Sequence, residues 1–457
     1  MNKTSFHLDR RALLKLMATT AATMPFSKVA FSESYQHQPD SFLWGVATAG
    51  HQYEGNNTNA DTWVLEHVSP TIFKEPSGDA VDSFTRWRED LDIARDLGLN
   101  TFRFSIEWSR IEPAKGEYSI AMLDHYRRLI AGCRERGLTP MVTFNHFTTP
   151  IWFAAAGGWE TNGAADHFVR YCERVTRHMG DLLTYATTLN EPNILKVIAW
   201  LPLAFPPEFT QTQQAMLAAA AKVSGSSSFS SANVGDAEPK TAQMILGHKK
   251  GVEAIKSINP QVKVGVSLSI TDDQAVGPDS KRDQKRQDVY GVWMEAARTG
   301  DFIGVQNYGR QRLDRHGAMP PPKGAEMTDS GEEFYPDSLE GAVRYAHAAT
   351  GLPVIVTENG IDALDDAKRV RYIPLAVEAM QRAMRDGVPV HGYIHWSLLD
   401  NFEWLFGYGP RFGLYSVDRT TFKRTAKPSA LVLAGIIKSQ RAHESSASLT
   451  NSGALPT

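Results

Sequence analysis

Residues 353–361 read PVIVTENGI. Val354, Ile355 and Val356 in succession ask for a strand, and the lack of polar alternation asks for one covered on both faces. Yet the run ends in a carboxylate, Glu358, followed by Asn359 and the strand-stopping Gly360. An unpaired buried carboxylate is costly. The end of this strand must therefore face a partner or an open mouth.

Seven other runs have the same form: SFLWGVATAG (41–50), NTFRFSI (100–106), TPMVTFNH (139–146), TYATTLNE (184–191), VKVGVSLS (262–269), DFIGVQNYG (301–309) and VHGYIHWS (390–397). Helical patterns separate them. In FTRWREDLDIARDLG (84–98), Phe84, Trp87, Leu91, Ala94 and Leu97 share one face, and Gly98 ends the pattern. Phe168, Cys172, Val175 and Met179 do the same in 166–179. Strands alternating with helices build parallel βαβ units, and eight such units close into a single (β/α)8 TIM barrel of the α/β class, here spanning residues 33–443. An open doubly wound sheet is the alternative, and it gives no reason to stop at eight.

The polar residues are placed unevenly. Gln52 follows the first run, Arg103 lies within the second, and His146 ends the third. Asn190 and Glu191 end the fourth, Tyr308 the sixth, Glu358 the seventh and Trp396 the eighth. In a parallel barrel all C-terminal strand ends lie on one rim, where barrel enzymes carry their chemistry. Each residue alone reads sooner as a satisfied structural group than as a catalytic one. Together they point to a site. Glu191 and Glu358 would stand on opposite sides of the mouth, and paired carboxyls are what cleavage of a glycosidic bond needs.

The remainder of the chain narrows the class. At 457 residues, with 42% hydrophobic and 22% charged residues, it has the composition of a globular protein, and a net charge of −3 favours neither nucleic acid nor an anionic membrane as partner. Residues 1–32 pair Arg10 with Arg11 ahead of a modest apolar run and end in Ala30-Phe31-Ser32, which reads as a twin-arginine-type export signal and a periplasmic or secreted location. The alternative is an amphipathic N-terminal helix. No other segment has the length of a membrane span. The two cysteines, Cys133 and Cys172, sit in helical patterns and read as buried thiols. No metal-ligand spacing occurs, and GYGPRFG (407–413) has the wrong spacing for a dinucleotide loop, so neither metal nor organic cofactor is implied. The Ser-rich segment 224–239 reads as mobile, 316–337 as a wall of the mouth, and 444–457 as a disordered tail; Pro374 should kink the helix over 368–385 or mark its true start.

From FLWGVATAGHQYEG (42–55) to WSLLDNFEWLFGYGPRFGLYSVD (396–418), with TLNEP and VTENG between, the chain resembles family 1 glycoside hydrolases, the β-glucosidase family. That resemblance implies a retaining β-glycosidase acting on small β-glycosides or oligosaccharides. Glu191 would be the acid/base and Glu358 the nucleophile, with Arg103 and Tyr308 favouring the ionised nucleophile and the facing carboxylate raising Glu191. Retention would place the two carboxyls about 5–5.5 Å apart. Gln52, His146, Asn190, Trp396, Glu403 and Trp404 match the family's sugar-binding positions, and the carboxylate of Glu403 would reject a 6-phosphate. Three departures leave glucose, galactose and fucose, and the aglycone, open: Phe147 where tryptophan is common, Gln306-Asn307 where asparagine and an aromatic are usual, and an unfamiliar loop after the fourth strand. A transglycosylase with the same residues, or a catalytically silent sugar-binding barrel, would share this sequence pattern.

Overall fold

Eight runs become eight strands because each is covered on both faces. They are β1 (Leu43–Ala47), β2 (Thr101–Ser105), β3 (Thr139–Asn145), β4 (Tyr185–Asn190), β5 (Lys263–Ser269), β6 (Phe302–Asn307), β7 (Val354–Asn359) and β8 (Val390–His395). The computed structural model describes residues 42–202 and 205–451, the side chains of 443–451 excepted. All five residues of β1 and of β2 are buried, Arg103 among them. The strands pair in parallel in the order β1-β8-β7-β6-β5-β4-β3-β2, and β1 closes on β2. The sheet is a closed (β/α)8 barrel.

The amphipathic segments form the outer layer. Helix Ser83–Asp96 buries Trp87, Leu91 and Ala94, and Gly98 ends its last turn at φ +77°, a conformation cheap only for glycine. Helix Ala164–Met179 buries Phe168, Cys172, Val175 and Met179 against helix Glu238–Ile258. Cys133, on helix Ile120–Glu135, and Cys172, on helix Ala164–Met179, are free, buried thiols, as their patterns indicated.

Three barrel ladders lose their register where the site lies. The β4–β5 pairing shifts between Thr187 and Asn190, the β6–β7 pairing between Val356 and Glu358, and the β7–β8 pairing between Val356 and Asn359. Such irregularities re-aim side chains at strand ends. Here they fall beside the two glutamates.

One expectation needs correction, and one of the two readings of Pro374 is excluded. The Ser-rich segment is packed rather than loose: Phe229, Ala232 and Val234 are buried, and Ser230 Oγ donates to Glu160 at 2.7 Å. Three apolar anchors outweigh its composition. Helix Asp366–Arg385 starts well before Pro374, capped by Asp365, which accepts from the Ala367 N–H at 3.0 Å, and it continues through the proline. The buried face of Tyr372, Ile373, Ala376, Val377 and Met380 holds it across the missing N–H. The final helix, Pro428–Asn451, runs into the segment read as a tail, the rest of which lies outside the described residues. The export signal over 1–32 and the boundary at 33 lie outside them too. Segment 316–337 packs on the loop and helix after β7: the Leu364 N–H donates to Asp329 Oδ2 at 2.8 Å, and Lys368 Nζ donates to the Met327 carbonyl at 3.1 Å.

Candidate active site

The predicted residues other than Glu191 meet in one hydrogen-bonded and stacked network at the C-terminal ends of the strands, and Glu191 is tied to it by the charges of Glu358 and Arg103. Arg103 rises inside β2, Asn190 ends β4, and Glu358 lies near the end of β7. Glu191, Tyr308, His146 and Trp396 each stand just beyond a strand end. Gln52 sits in the short helix Gly50–Tyr53 after β1, and Glu403 and Trp404 in the loop after β8.

Glu358 is the most heavily supported member. Arg103 Nη1 donates to its Oε1 at 2.5 Å and Gln306 Nε2 donates to the same oxygen at 2.9 Å, while the Tyr308 hydroxyl donates to Oε2 at 2.6 Å. Arg103 is wholly buried, so this ion pair acts with little solvent screening. Burial still pushes the Glu358 carboxyl above the ordinary range, with Arg103 and Tyr308 pulling it back. The expected direction of those two partners therefore holds, but desolvation outweighs them.

Glu191 has far less support. Its backbone is left-handed at φ +41°, unusual away from glycine, and its N–H donates to the Ser267 carbonyl at 2.8 Å. Burial first, and the Glu358 charge second, raise its carboxyl to about 8; Ser269 and Arg103 oppose the rise. Desolvation, rather than the neighbouring carboxylate, is the larger cause. Of the two carboxyls, Glu191 is the one placed to hold a proton at neutral pH.

The remaining groups line the pocket with polar edges and aromatic faces. Gln52 Nε2 donates to Asn401 Oδ1 (2.9 Å), the Phe402 carbonyl (2.8 Å) and Glu403 Oε2 (3.3 Å). Trp396 Nε1 reaches Glu403 Oε1 at 3.4 Å. Burial raises Glu403 well above the usual carboxylate range, against the pull of its Trp396 and Asn401 hydrogen bonds. Burial thus works against the charge expected there. Burial, with the Arg103 charge behind it, holds His146 neutral. The Trp404 indole, on a backbone at φ +49°, lies nearly parallel to His51 (5.8 Å, 8°) and to His146 (6.1 Å, 14°), and Phe147 meets it edge-on at 5.2 Å. Among the described residues, Gln52 Oε1, His146 Nδ1 and Gln306 Oε1 are buried without a hydrogen-bond partner. Buried polar atoms are seldom left so.

The model for glycosyl hydrolase family 1 matches residues 34–313 and 305–442. The chain belongs to glycosyl hydrolase family 1. The beta-glucosidase of Agrobacterium sp. (strain ATCC 21400) is 30% identical to it over 451 residues, covering 86% of this chain and 93% of that protein. The apo structure of a beta-glucosidase 1317 is 46% identical, with a TM-score of 0.84 and coverage of 87% and 98%. A beta-glucosidase from Thermotoga maritima, solved in complex with deoxynojirimycin, is 26% identical with a TM-score of 0.75, covering 88% and 98%. Family 1 membership makes the chain a glycoside hydrolase.

Two residues of this family 1 barrel join the site without having been singled out for it. Gln306 is noted in the sequence only as a departure from asparagine, yet it touches both Glu358 and Asn190. Its place two residues before Tyr308, on the same side of β6, is the signal that points inward. His51 stacks under Trp404, and nothing in the linear sequence links the two. Asn307, the other departure, faces away: its amide donates to the Ile270 carbonyl at 2.9 Å and it accepts from Ser338 at 2.8 Å.

Proposed function

We propose that this chain is a retaining β-glycosidase that hydrolyses neutral β-D-glycosides, with glucosides foremost, by double displacement. The observation that carries the reading is the unequal support of the two carboxyls. Three donors converge on Glu358, whereas Glu191 is raised to about 8. A nucleophile needs its charge stabilised, and an acid needs to keep its proton.

In the first step the Glu191 O–H protonates the glycosidic oxygen as Glu358 attacks the anomeric carbon. The C–O bond to the aglycone breaks, and a glycosyl ester forms on Glu358. The ester cancels the Glu358 charge, which removes one of the two causes that raise Glu191. Glu191, now a carboxylate, takes a proton from water as the water oxygen attacks the anomeric carbon. Glu358 leaves as a carboxylate, and Glu191 is protonated again. Arg103, Tyr308 and Gln306 hold the nucleophile throughout.

Gln52, His146, Asn190 and Glu403 offer hydrogen bonds suited to vicinal hydroxyls, and Trp396 with Trp404 offers apolar faces for a pyranose ring. Asn190 shares Arg103 and Gln306 with the nucleophile, which sets its amide beside the anomeric carbon and so against the 2-hydroxyl. The partners of Glu403 are an amide, an indole and an asparagine, with no cation for a phosphate among them. This supports a neutral glycone. The Arg10-Arg11 segment supports export to the periplasm or beyond.

Azide rescue tests the roles. Glu358→Gly should be inactive and, with an activated glycoside and azide, yield the α-glycosyl azide; Glu191→Ala should yield the β-glycosyl azide. Identical products from the two variants, or full activity in either, would refute the assignment.

A further inference from the structure

Arg103 and Gln306 share the same two acceptors. Arg103 Nη1 and Gln306 Nε2 both bond Glu358 Oε1, at 2.5 and 2.9 Å. Arg103 Nη2 and Gln306 Nε2 both bond Asn190 Oδ1, at 2.6 and 2.7 Å. The result is a closed square of two donors and two acceptors spanning β2, β4, β6 and β7. A guanidinium can only donate, so Arg103 has no other way to sit there. An amide can turn over, but turned over, the Gln306 carbonyl would face a carboxylate oxygen and an amide oxygen. The square therefore fixes which end of Gln306 is the nitrogen.

The consequence passes outward to the pocket. With Oδ1 of Asn190 taking two donors, its NH2 must point the other way, and it meets His146 Nε2 at 3.2 Å. That nitrogen must then accept, which puts the proton of the neutral ring on Nδ1, one of the buried atoms without a partner. One side chain on β6 thus bears on the direction of two others. Gln306 also leaves its own Oε1 buried and unpaired. A glutamine serving only to fill the barrel would be expected to satisfy both ends.

We propose that Gln306 is a positioning residue that sets selectivity for the glycone 2-hydroxyl, by holding the Asn190 amide with its N–H groups toward the sugar. The proposal rests on the glycosidase reading above. Acting with Arg103 on Asn190, Gln306 keeps the one neighbouring amide that could invert from inverting. Its other bond gives Glu358 Oε1 a second donor beside Arg103, leaving Oε2, with the single Tyr308 hydroxyl, as the attacking oxygen.

The test compares kcat/KM for an aryl β-glucoside and its 2-deoxy counterpart in wild type, Q306E and Q306L, with thermal unfolding as the check on folding. The wild type should favour the 2-hydroxyl substrate on the order of 10³-fold or more. Q306E keeps the shape but replaces a donor by an acceptor, which competes with Arg103 over the direction of the Asn190 amide, and the preference should fall by about 10²-fold. Q306L leaves Arg103 alone on Asn190, and the preference should fall by about tenfold; it serves if Q306E does not fold. If both variants slow the two substrates in equal proportion, the preference standing at its wild-type value, Gln306 is merely structural and the proposal is overturned. Failure of the parent reading would appear elsewhere, as activity in Glu358→Gly.

Discussion

Replacing Glu191 by glutamine tests the chemistry where the structure is most explicit. With a carboxyl raised to about 8, Glu191 is about nine-tenths protonated at pH 7; at its ordinary 4.5 it would be about 0.3% protonated. The environment thus increases the acid form about 300-fold at neutral pH. For a wild-type enzyme acting on an aryl glucoside with a poor leaving group, kcat/KM should be flat near pH 7 and fall through a basic limb at about 8. Glu191→Gln should lose that limb and slow such substrates by about 10²–10⁴-fold, while barely slowing formation of the glycosyl ester from a substrate whose leaving group needs no proton. Stability should move the opposite way. A carboxyl whose folded pKa exceeds its unfolded value gains protons on folding between the two values. Its cost to the fold is therefore absent below about pH 4.5, grows as pH rises, and is complete above about 8. Glu191→Gln removes that cost, on the order of a few kcal/mol. The variant's Tm should exceed the wild type's at pH 8 and approach it at pH 4.5. A basic limb that persists unchanged in Glu191→Gln would refute the reasoning, as would a wild-type limb near 5.

Arg103→Met should leave Glu358 to its burial with only Tyr308 and Gln306 in support, lowering kcat by about 10²–10³-fold and moving the acid limb of kcat/KM upward; an unmoved limb would show that Arg103 does not govern Glu358. The wild type should hydrolyse an aryl β-glucoside far faster than its 6-phosphate, in parallel assays at equal concentration. The reverse ranking would remove the neutral-glycone reading of Glu403. Lysine at both Arg10 and Arg11 should stop export of the full-length chain, with activity recovered from the cytoplasmic rather than the exported fraction; unimpeded export would reject the signal. Cys133 and Cys172, whose thiols burial holds well above the ordinary range, should resist alkylation in the native protein and react after unfolding, and rapid native labelling would contradict their placement.

Most of the barrel is legible in the chain because its signals are local. Each strand announces itself by a short run rich in apolar and β-branched residues with turn residues beyond it, and each helix by its buried stripe. A parallel barrel then carries every strand end to one rim, so Glu191 and Glu358 could be paired from sequence although 167 positions separate them. Composition misled where a few anchors dominate. Phe229, Ala232 and Val234 tie down a stretch that is otherwise serine and glycine, and a packed face carries a helix through Pro374.

The chain by itself determined the elements, their order, and which side chains arrive at the rim, since those follow from short-range sterics and hydrophobic period. Only the closed barrel decided how the arrivals are arranged. Register shifts beside Glu191 and Glu358, the Arg103–Gln306 square, and the His51–Trp404 stack all depend on strands distant in sequence lying a few ångströms apart. Proton placement belongs to that same level. Whether a carboxyl keeps its proton depends on the water that burial removes and the donors that remain, and neither is a property of the residue alone.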